Sequence, residues 1–345
     1  MSQEINLGFW KKVKAQADAE QRPIMVIAPM ANVTDAPFRR IIAKYGKPDV
    51  TWTEFVSADG LCSPAGKEAL LRDLVYSEAE RPIVAQLFSS NPDKMRQAAA
   101  LVLELGFDGI DINMGCPDRS IEKQGAGAAL IRTPEVAKAV IRAAQEGVAG
   151  KIPVSVKTRI GYNKNELETW IPELLSTGIA ALTIHARTRK EMSKVPARWE
   201  HVKRVVEIRD ALQGPVVAST AGEKSTSART LILGNGDVLD WADGEAKAVA
   251  TGADGIMLGR AIFGNPWLFN KIQPQISIPE RLAVMVEHTT AFEQLLADVK
   301  NFAIMKKHYK AYVNGWDGAK ELRLELMAAD SAKQVGEIVA KYVAK

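Results

Sequence analysis

The sequence predicts an α/β protein: a (β/α)8 TIM barrel followed by a small, all-helical C-terminal bundle. Eight short apolar runs alternate with longer segments of helical spacing between residues 24 and 260. Runs that are apolar at nearly every position are typical of parallel strands buried on both faces of a sheet. Beyond residue 275 the helical spacing continues and no strand-like run occurs. We therefore predict a barrel over residues 1–275 and a helical domain over residues 276–345.

The predicted strands follow one another along the chain. In order they are IMVIAPM (24–30), VTWTEF (50–55), PIVAQLF (82–88), GIDIN (109–113), PVSVKTR (153–159), ALTIHAR (181–187), TLILGNGD (230–237) and DGIMLGR (254–260). Asn91 and Thr133, each followed by a proline, are predicted to cap the helices that start there. The Ser- and Thr-rich stretch 217–230 is predicted to be mostly an extended loop, with PVVAS (215–219) as an alternative seventh strand.

Composition narrows the functional classes. The 345 residues carry a net charge of +4, which permits a polyanionic partner without requiring one. Two cysteines far apart in the chain do not make a disulfide framework. No apolar run has the length of a signal peptide or of a membrane span. These features predict a cytoplasmic protein with no membrane partner, and we also expect a monomer that needs no metal.

Each predicted strand ends at a residue that is costly to bury unless it has a function. Because the active site of such a barrel lies at the carboxyl ends of its strands, these residues are expected to converge. They are Met30, Glu54, Gln86, Asn113, Lys157, His185, Asn235 and Arg260. Any one of them alone can be a satisfied core residue. Together they indicate a site.

Two glycine-bearing turns indicate a phosphate site. GNGD (234–237) and LGRA (258–261) follow predicted strands seven and eight, where barrels often bind phosphate through backbone N–H groups. Glycine lets the backbone approach a phosphate, and Arg260 can pair with it. Lys157 at the mouth has two possible uses. It can form a Schiff base with a carbonyl substrate, or it can stay protonated and hold electron density on a reduced flavin.

Cys116 stands in a setting that a core cysteine does not need. It lies between a glycine and a proline in DINMGCP (111–117), just after predicted strand four, and GAGAA (125–129) follows. A loop at a strand end exposes a reactive thiol. The glycine-rich segment is predicted to be flexible enough to open and to close over a substrate. Cys62 has no comparable surroundings and is predicted to be structural.

Taken in order, these blocks resemble the tRNA-dihydrouridine synthase family, over about residues 23–335. The resemblance rests on APMANVTDAPFRR (28–40), TEFVSADGL (53–61), PIVAQLFSSNPDKMRQAA (82–99), DINMGCP with GAGAALIRTPE (125–135), VKTRIGY (156–162), IHARTR (184–189), GNGD and GADGIMLGRAIFGNPWLF (252–269). In addition, KKHYKAYVNGWDGAKELR (306–323) is similar to the helical RNA-binding domain of the bacterial members.

The resemblance implies a flavoenzyme that binds FMN, oxidises NADPH and reduces the C5–C6 double bond of a uridine in tRNA. It implies that hydride passes from the flavin N5 to C6, and that Cys116 is the general acid that protonates C5 of a base turned out of the RNA. The cofactor contacts that it implies are Pro29, Met30, Ala31, Gln86, Asn113, Lys157, His185, Asn235, Gly236, Asp237, Gly259 and Arg260.

Basic residues around the predicted mouth are candidates for contacts with tRNA phosphates. They are Arg119, Lys123, Arg187, Arg189, Lys306, Lys307, His308 and Lys310. The segment KNFAIMKKHYKAY (300–312) interleaves lysines with aromatic residues, as a nucleic-acid contact face does. The same spacing is also that of a solvated lysine face over an aromatic core stripe.

Two features depart from the family pattern. Ala186 stands where the family usually has glycine, and the stretch 217–230 is longer than the usual run into the seventh strand. Three other functions stay open at this point. They are a flavin-dependent barrel oxidoreductase acting on a free pyrimidine, a Schiff-base lyase that uses Lys157, and a non-catalytic tRNA-binding protein.

Overall fold

The computed structural model describes residues 5–214 and 228–344, and eight strands form one sheet in these ranges. The strands are β1 (Ile24–Ile27), β2 (Thr51–Ser57), β3 (Ile83–Phe88), β4 (Gly109–Met114), β5 (Val154–Arg159), β6 (Ala181–His185), β7 (Leu231–Asn235) and β8 (Gly255–Leu258). All eight predicted strands are confirmed, including the seventh. The alternative strand PVVAS lies outside the described residues.

The sheet closes into a barrel. Its strands pair in the order β1-β8-β7-β6-β5-β4-β3-β2, and every pair is parallel. A bridge between Val26 of β1 and Val50, just before β2, joins the two remaining edges. The predicted TIM barrel is therefore confirmed, and all eight carboxyl ends lie at the same rim.

Helices cover the outside of the barrel and form the C-terminal part of the chain. Those in the described ranges are α1 (Trp10–Ala19), α2 (Ala36–Tyr45), α3 (Ala58–Leu61), α4 (Pro64–Leu71), α5 (Pro92–Glu104), α6 (Arg119–Glu122), α7 (Pro134–Gly147), α8 (Leu167–Leu175), α9 (Glu200–Gln213), α10 (Trp241–Thr251), α11 (Ile278–Leu296), α12 (Lys306–Tyr312), α13 (Ala319–Ala328) and α14 (Ala332–Val343). Asn91 caps α5 as predicted, since its side chain accepts the N–H of Lys94 at 3.2 Å. Thr133 occupies the corresponding position before α7 but makes no side-chain capping bond.

Apolar side chains fill the amino end of the barrel. Trp10 of α1 is buried and its ring lies 6.0 Å from that of Trp52 in β2. Around them, Ile24, Val26 and Met257 belong to the same buried cluster. A packed core therefore closes this end of the barrel.

α11 packs against α2, and the helices after α11 pack against α11 and against one another. Phe38 and Ile42 of α2 share a buried cluster with Met285 and Phe292 of α11 and with Tyr309 of α12. The predicted all-helical C-terminal segment is thus present, and the position of the domain boundary at residue 275 stays a prediction. No helix in residues 5–214 and 228–344 is long and apolar enough to cross a membrane.

Candidate active site

A cavity of about 640 Å³ opens at the carboxyl rim of the barrel. The residues that line it come from the ends of β1, β5, β6, β7 and β8 and from the loops that follow them. Nine of the twelve predicted cofactor contacts are among them: Pro29, Met30, Lys157, His185, Asn235, Gly236, Asp237, Gly259 and Arg260. Ala31, Gln86 and Asn113 do not line this cavity.

Lys157 of β5 and His185 of β6 line this cavity with polar side chains. Lys157 forms no ion pair with any residue in the described ranges. Burial, followed by the charge of Arg159, lowers the pKa of Lys157 to about 8. The ammonium group is therefore mostly protonated at neutral pH and is available to an electron-rich ligand edge.

The imidazole of His185 is neutral. Burial lowers its pKa well below the usual value, and the charges of Arg159, Lys157 and Arg187 act in the same direction. Nη1 of Arg187 lies 3.1 Å from Nε2 of His185. Because a guanidinium can only donate, Nε2 accepts this bond and the ring proton is on Nδ1. His185 can thus offer one N–H donor to a ligand without carrying a charge.

The turn after β7 is a candidate anion cradle. Gly236 has φ of +126° and Asp237 has φ of +49°, in the positive range that residues other than glycine rarely adopt. A side chain at Gly236 would place its Cβ 2.8 Å from the methyl group of Ala197. Among the hydrogen bonds of the described residues, none uses the N–H of Gly236, Asp237 or Gly259. These donors are free to bind a phosphate.

The carboxylate of Asp237 holds two arginines beside this cradle. It pairs with Arg187, and its other oxygen lies 2.6 Å from Nη2 of Arg260. Burial opposes its ionisation, but hydrogen bonds from Ala197 and Arg187 and the charge of Arg260 outweigh it, so the pKa of Asp237 lies below its usual value. One acidic and two basic side chains leave a net positive charge next to the free N–H groups.

Cys116 lies on the same rim, after β4, and its loop explains the glycines around it. The side-chain oxygen of Asn113 accepts the N–H groups of Gly115 at 3.1 Å and of Cys116 at 2.9 Å. The carbonyl of Cys116 accepts the N–H of Ala128 at 2.9 Å. Gly127 has φ of +62°, and a Cβ there would lie 2.8 Å from that carbonyl. Glycine is therefore required where the returning chain passes close to the cysteine.

The thiol of Cys116 is half-buried beside a small apolar cluster that includes Phe88, Ile121 and Ala126. Burial raises its pKa. The group is consequently a neutral thiol at neutral pH, and a neutral thiol can donate a proton. Cys116 does not line the 640 Å³ cavity itself. Cys116 follows β4, and Asn113 of β4 pairs in register with Lys157 of the neighbouring strand β5.

Gln86 and Asn113 were predicted to contact the cofactor, and the structure directs both toward other protein groups. Gln86 is fully buried and donates to the carboxylate of Asp111 at 2.6 Å. Asn113 donates to the oxygen of Gln86 at 3.2 Å. Ala31 is exposed in the loop after β1. A contact of these three residues with a cofactor therefore stays a prediction.

The predicted RNA-contact residues fall into three groups. Arg119, Lys123 and Lys310 are exposed, and Lys307 is partly exposed. Arg189 is paired with Glu122, and Lys306 lies 3.6 Å from Asp330. Arg187 and His308 are each at most 2% exposed, so neither presents its side chain to an RNA backbone in this structure.

His308 instead belongs to an aromatic group beneath the helical segment. Its ring lies 4.9 Å from Phe38, 5.6 Å from Phe263 and 4.7 Å from His288. Neither ring nitrogen of His308 has a hydrogen-bond partner among the described residues.

Ala186, which stands where the family usually has glycine, is fully buried in the layer between strands and helices. Its methyl group therefore lies away from the cavity.

Arg159 was not predicted, although it lies two residues after Lys157 on the same strand. It is nearly buried and donates to the carbonyl of Gly115 at 2.7 Å and to that of Thr188 at 3.2 Å. Burial lowers its pKa to about 10, which leaves it charged at neutral pH. The period of two along a strand, applied to VKTR, is the signal that could have found it.

The barrel, its rim cavity and the neutral thiol define a class of enzyme with its active site at the carboxyl ends of the strands. Comparison with known proteins gives the family. The sequence model described as "Dihydrouridine synthase (Dus)" matches residues 26–344. The chain therefore belongs to the dihydrouridine synthase family, and the predictions of this family and of an enzyme are confirmed.

Individual relatives match along almost their whole length. A probable tRNA-dihydrouridine synthase of Staphylococcus epidermidis (strain RP62A) is 37% identical over 326 residues, which cover 94% of this chain and 95% of the relative. The probable tRNA-dihydrouridine synthase 2 of Bacillus subtilis (strain 168) is 37% identical over 339 residues, which cover 98% and 97%. Among solved structures, histamine dehydrogenase from Rhizobium sp. 4-9 has a similar fold, with a TM-score of 0.53 over 78% of this chain and 49% of that one, at 13% identity.

Proposed function

We propose that this protein reduces the C5–C6 double bond of a uridine in tRNA, with FMN as its cofactor and NADPH as the reductant. One observation carries the proposal: a neutral, half-buried thiol and a cavity with unpaired donors lie on the same rim of a barrel of this family. The relatives named as probable tRNA-dihydrouridine synthases support tRNA as the substrate.

The residues of the rim fit FMN. A phosphate needs several N–H donors and a positive charge, and the free N–H groups of Gly236, Asp237 and Gly259 lie beside Arg260. The electron-rich edge of a flavin needs a cation or a neutral donor, and Lys157 and His185 offer one of each. When bound, FMN would supply the hydride that C6 of the uracil receives.

The protein itself has to supply the proton. Cys116 would donate its thiol proton to C5 of the base, and its raised pKa keeps the proton on sulfur until that step. Asn113 and Ala128 fix the backbone on both sides of the thiol. The protonated amine of Lys157 lies on the neighbouring strand, where it would stabilise negative charge during reduction.

The exposed basic residues would hold the RNA. Arg119 and Lys123 lie on the cysteine loop, and Lys310 lies on α12. Cations in these places can contact phosphates of a folded RNA while one base is turned out into the pocket.

The visible absorption spectrum of the purified protein tests this function. We expect flavin bands that bleach when NADPH is added without oxygen and return when an unmodified tRNA transcript follows. Nucleosides from that transcript should then contain dihydrouridine, while free uridine as a control substrate should not restore the bands. A protein that stays colourless after FMN is supplied would refute the proposal. Return of the flavin bands with free uridine would favour a flavin-dependent oxidoreductase that acts on a free pyrimidine.

A further inference from the structure

A series of buried polar side chains runs through the barrel wall and ends at the cysteine turn. Asp111 of β4 is fully buried, and its carboxylate accepts from Nε2 of Gln86 at 2.6 Å. The oxygen of Gln86 accepts from Nδ2 of Asn113 at 3.2 Å. The oxygen of Asn113 then accepts the N–H groups of Gly115 and Cys116. Three hydrogen bonds therefore connect a buried carboxylate to the backbone of the thiol-bearing residue.

The hydrogen-bond partners at the two ends of the series agree on how the amides of Gln86 and Asn113 are turned. A carboxylate only accepts, so Gln86 must turn its NH2 group toward Asp111 and its oxygen toward Asn113. Asn113 must then turn its NH2 group toward Gln86 and its oxygen toward the turn. At the other end, two backbone N–H groups only donate, and they also require the oxygen of Asn113. Reversal of either amide would place two donors or two acceptors together.

Asp111 is fixed by its surroundings. The hydroxyl of Ser155 on β5 donates to the second carboxylate oxygen of Asp111 at 2.7 Å. In addition, the hydroxyl oxygen of Thr53 accepts the backbone N–H of Gln86 at 3.1 Å. Burial raises the pKa of Asp111 to about 6, and the hydrogen bonds from Gln86 and Ser155 oppose that rise. The group is therefore a carboxylate at neutral pH. A buried carboxylate is costly, and no ion pair of the described residues compensates it.

We propose that Asp111 is a positioning residue that, through Gln86 and Asn113, fixes the turn on which the Cys116 thiol is held. It acts without touching substrate or cofactor. The inference rests on the proposed function only in giving Cys116 the task of proton donation. The contacts that hold the turn do not depend on it.

Without the carboxylate, the NH2 group of Gln86 is buried without its acceptor, and only the backbone donors at the other end still hold the two amides in this direction. Gln86 can then reverse, Asn113 can follow, and the N–H groups of Gly115 and Cys116 lose their acceptor. A turn with two unmet donors relaxes toward solvent, where water can bind them. The thiol should become more exposed and ionise more readily, because burial is the largest cause of its raised pKa.

The rate at which iodoacetamide alkylates Cys116, mapped by mass spectrometry at pH 8, measures this change on the protein as purified. Asp111→Leu removes the carboxylate and with it both acceptor oxygens. Ser155→Ala is the matched control, since it removes the other partner of the same carboxylate and leaves the series intact. Asp111→Asn retains an acceptor oxygen. Cys62, whose thiol donates to the carbonyl of Lys94 and not to a member of the series, provides an internal standard in every sample.

We expect Asp111→Leu to raise the alkylation rate of Cys116 about tenfold, because the hydrogen bonds that hold the turn are lost. Ser155→Ala should leave the rate unchanged, Asp111→Asn should lie between, and Cys62 should not respond. If Asp111→Leu does not fold, Gln86→Leu breaks the same series and should give the same rise. An unchanged Cys116 rate in a folded Asp111→Leu or Gln86→Leu protein would overturn the inference.

Alkylation requires no turnover, which separates this inference from the proposed function. A protein that makes no dihydrouridine but whose Cys116 responds to Asp111→Leu would refute the proposed function and support the positioning role. A variant that loses dihydrouridine formation with an unchanged alkylation rate would refute the positioning role and leave the proposed function standing.

Discussion

Lys300 connects the C-terminal helices to the rim of the barrel, and its removal should be costly. Its ammonium group lies 2.5 Å from Glu54 in β2 and 2.9 Å from Asp73. The side chains of Lys300 and Glu54 are only 13% and 7% exposed. The other oxygen of Glu54 accepts the N–H of Asn32, in the loop that follows the cavity-lining Met30. The pair thus also supports one wall of the candidate active site.

The substitution Lys300→Met keeps the apolar stem and deletes the charge. It leaves Glu54 nearly buried without its cation, and breaking one partner of a buried pair costs about 3–5 kcal/mol. Lys300 retains some contact with water and Glu54 retains its bond from Asn32. We therefore expect a decrease of about 2–3 kcal/mol in the free energy of unfolding.

Equilibrium unfolding in urea at pH 7, followed by circular dichroism, measures this decrease. Lys44→Met is the matched control, because Lys44 also bridges barrel and helical segment, to Glu287, but with side chains 58% and 38% exposed. Exposed pairs contribute little, so the control should lose much less stability. The double variant Glu54→Gln/Lys300→Met should recover part of the loss. Equal losses for Lys300→Met and Lys44→Met would refute the reasoning.

Three further outcomes are expected. Gly236→Ala should raise the Kd for FMN about tenfold or more in a titration of flavin fluorescence. The reason is that it places a side chain at a φ of +126° and against the methyl group of Ala197. Gly336→Ala in α14 is the control and should leave the Kd unchanged. Burial lowers the pKa values of His308 and His288 well below 6.5, so the unfolded state binds more protons and stability falls as the pH drops below about 6.5. His308→Phe should make the slope of stability against pH shallower, by at most about 1.4 kcal/mol per pH unit, in urea unfolding between pH 6 and 5, and an unchanged slope would contradict this. Lys310→Glu, at an exposed site on α12, should weaken tRNA binding in a filter assay and lower the dependence of log K on log salt by about one; identical slopes would remove Lys310 from the contact surface.

The strands and most of the cavity could be predicted because the relevant signals are local. Runs such as PIVAQLF have the composition of buried parallel strands, and parallel strands in a barrel bring their carboxyl ends together. The residues at those ends, including Lys157, His185 and Asn235, therefore share one cavity. Gly236 in GNGD indicated the cradle, since its φ of +126° favours glycine.

What could not be predicted depends on partners that are distant in sequence. Gln86 turns inward because Asp111, 25 residues later, accepts its amide. Arg187 is held at the cavity by Asp237, 50 residues later, so it is not a surface cation. His308 lies in a segment where aromatic and basic residues alternate, and helical spacing alone does not show which face is buried. α12 buries His308, Tyr309 and Tyr312 and leaves Lys310 outside.

The formation of dihydrouridine in an unmodified tRNA transcript by Cys116→Ala, compared with the unaltered protein, tests the central claim most directly. Both proteins should bind the transcript and show the same flavin bands, because Cys116 does not line the cavity. With NADPH present, the variant should form dihydrouridine at least about a hundredfold more slowly, as expected for the loss of a general acid. Formation at the unaltered rate would contradict the account and would require another proton donor at the rim.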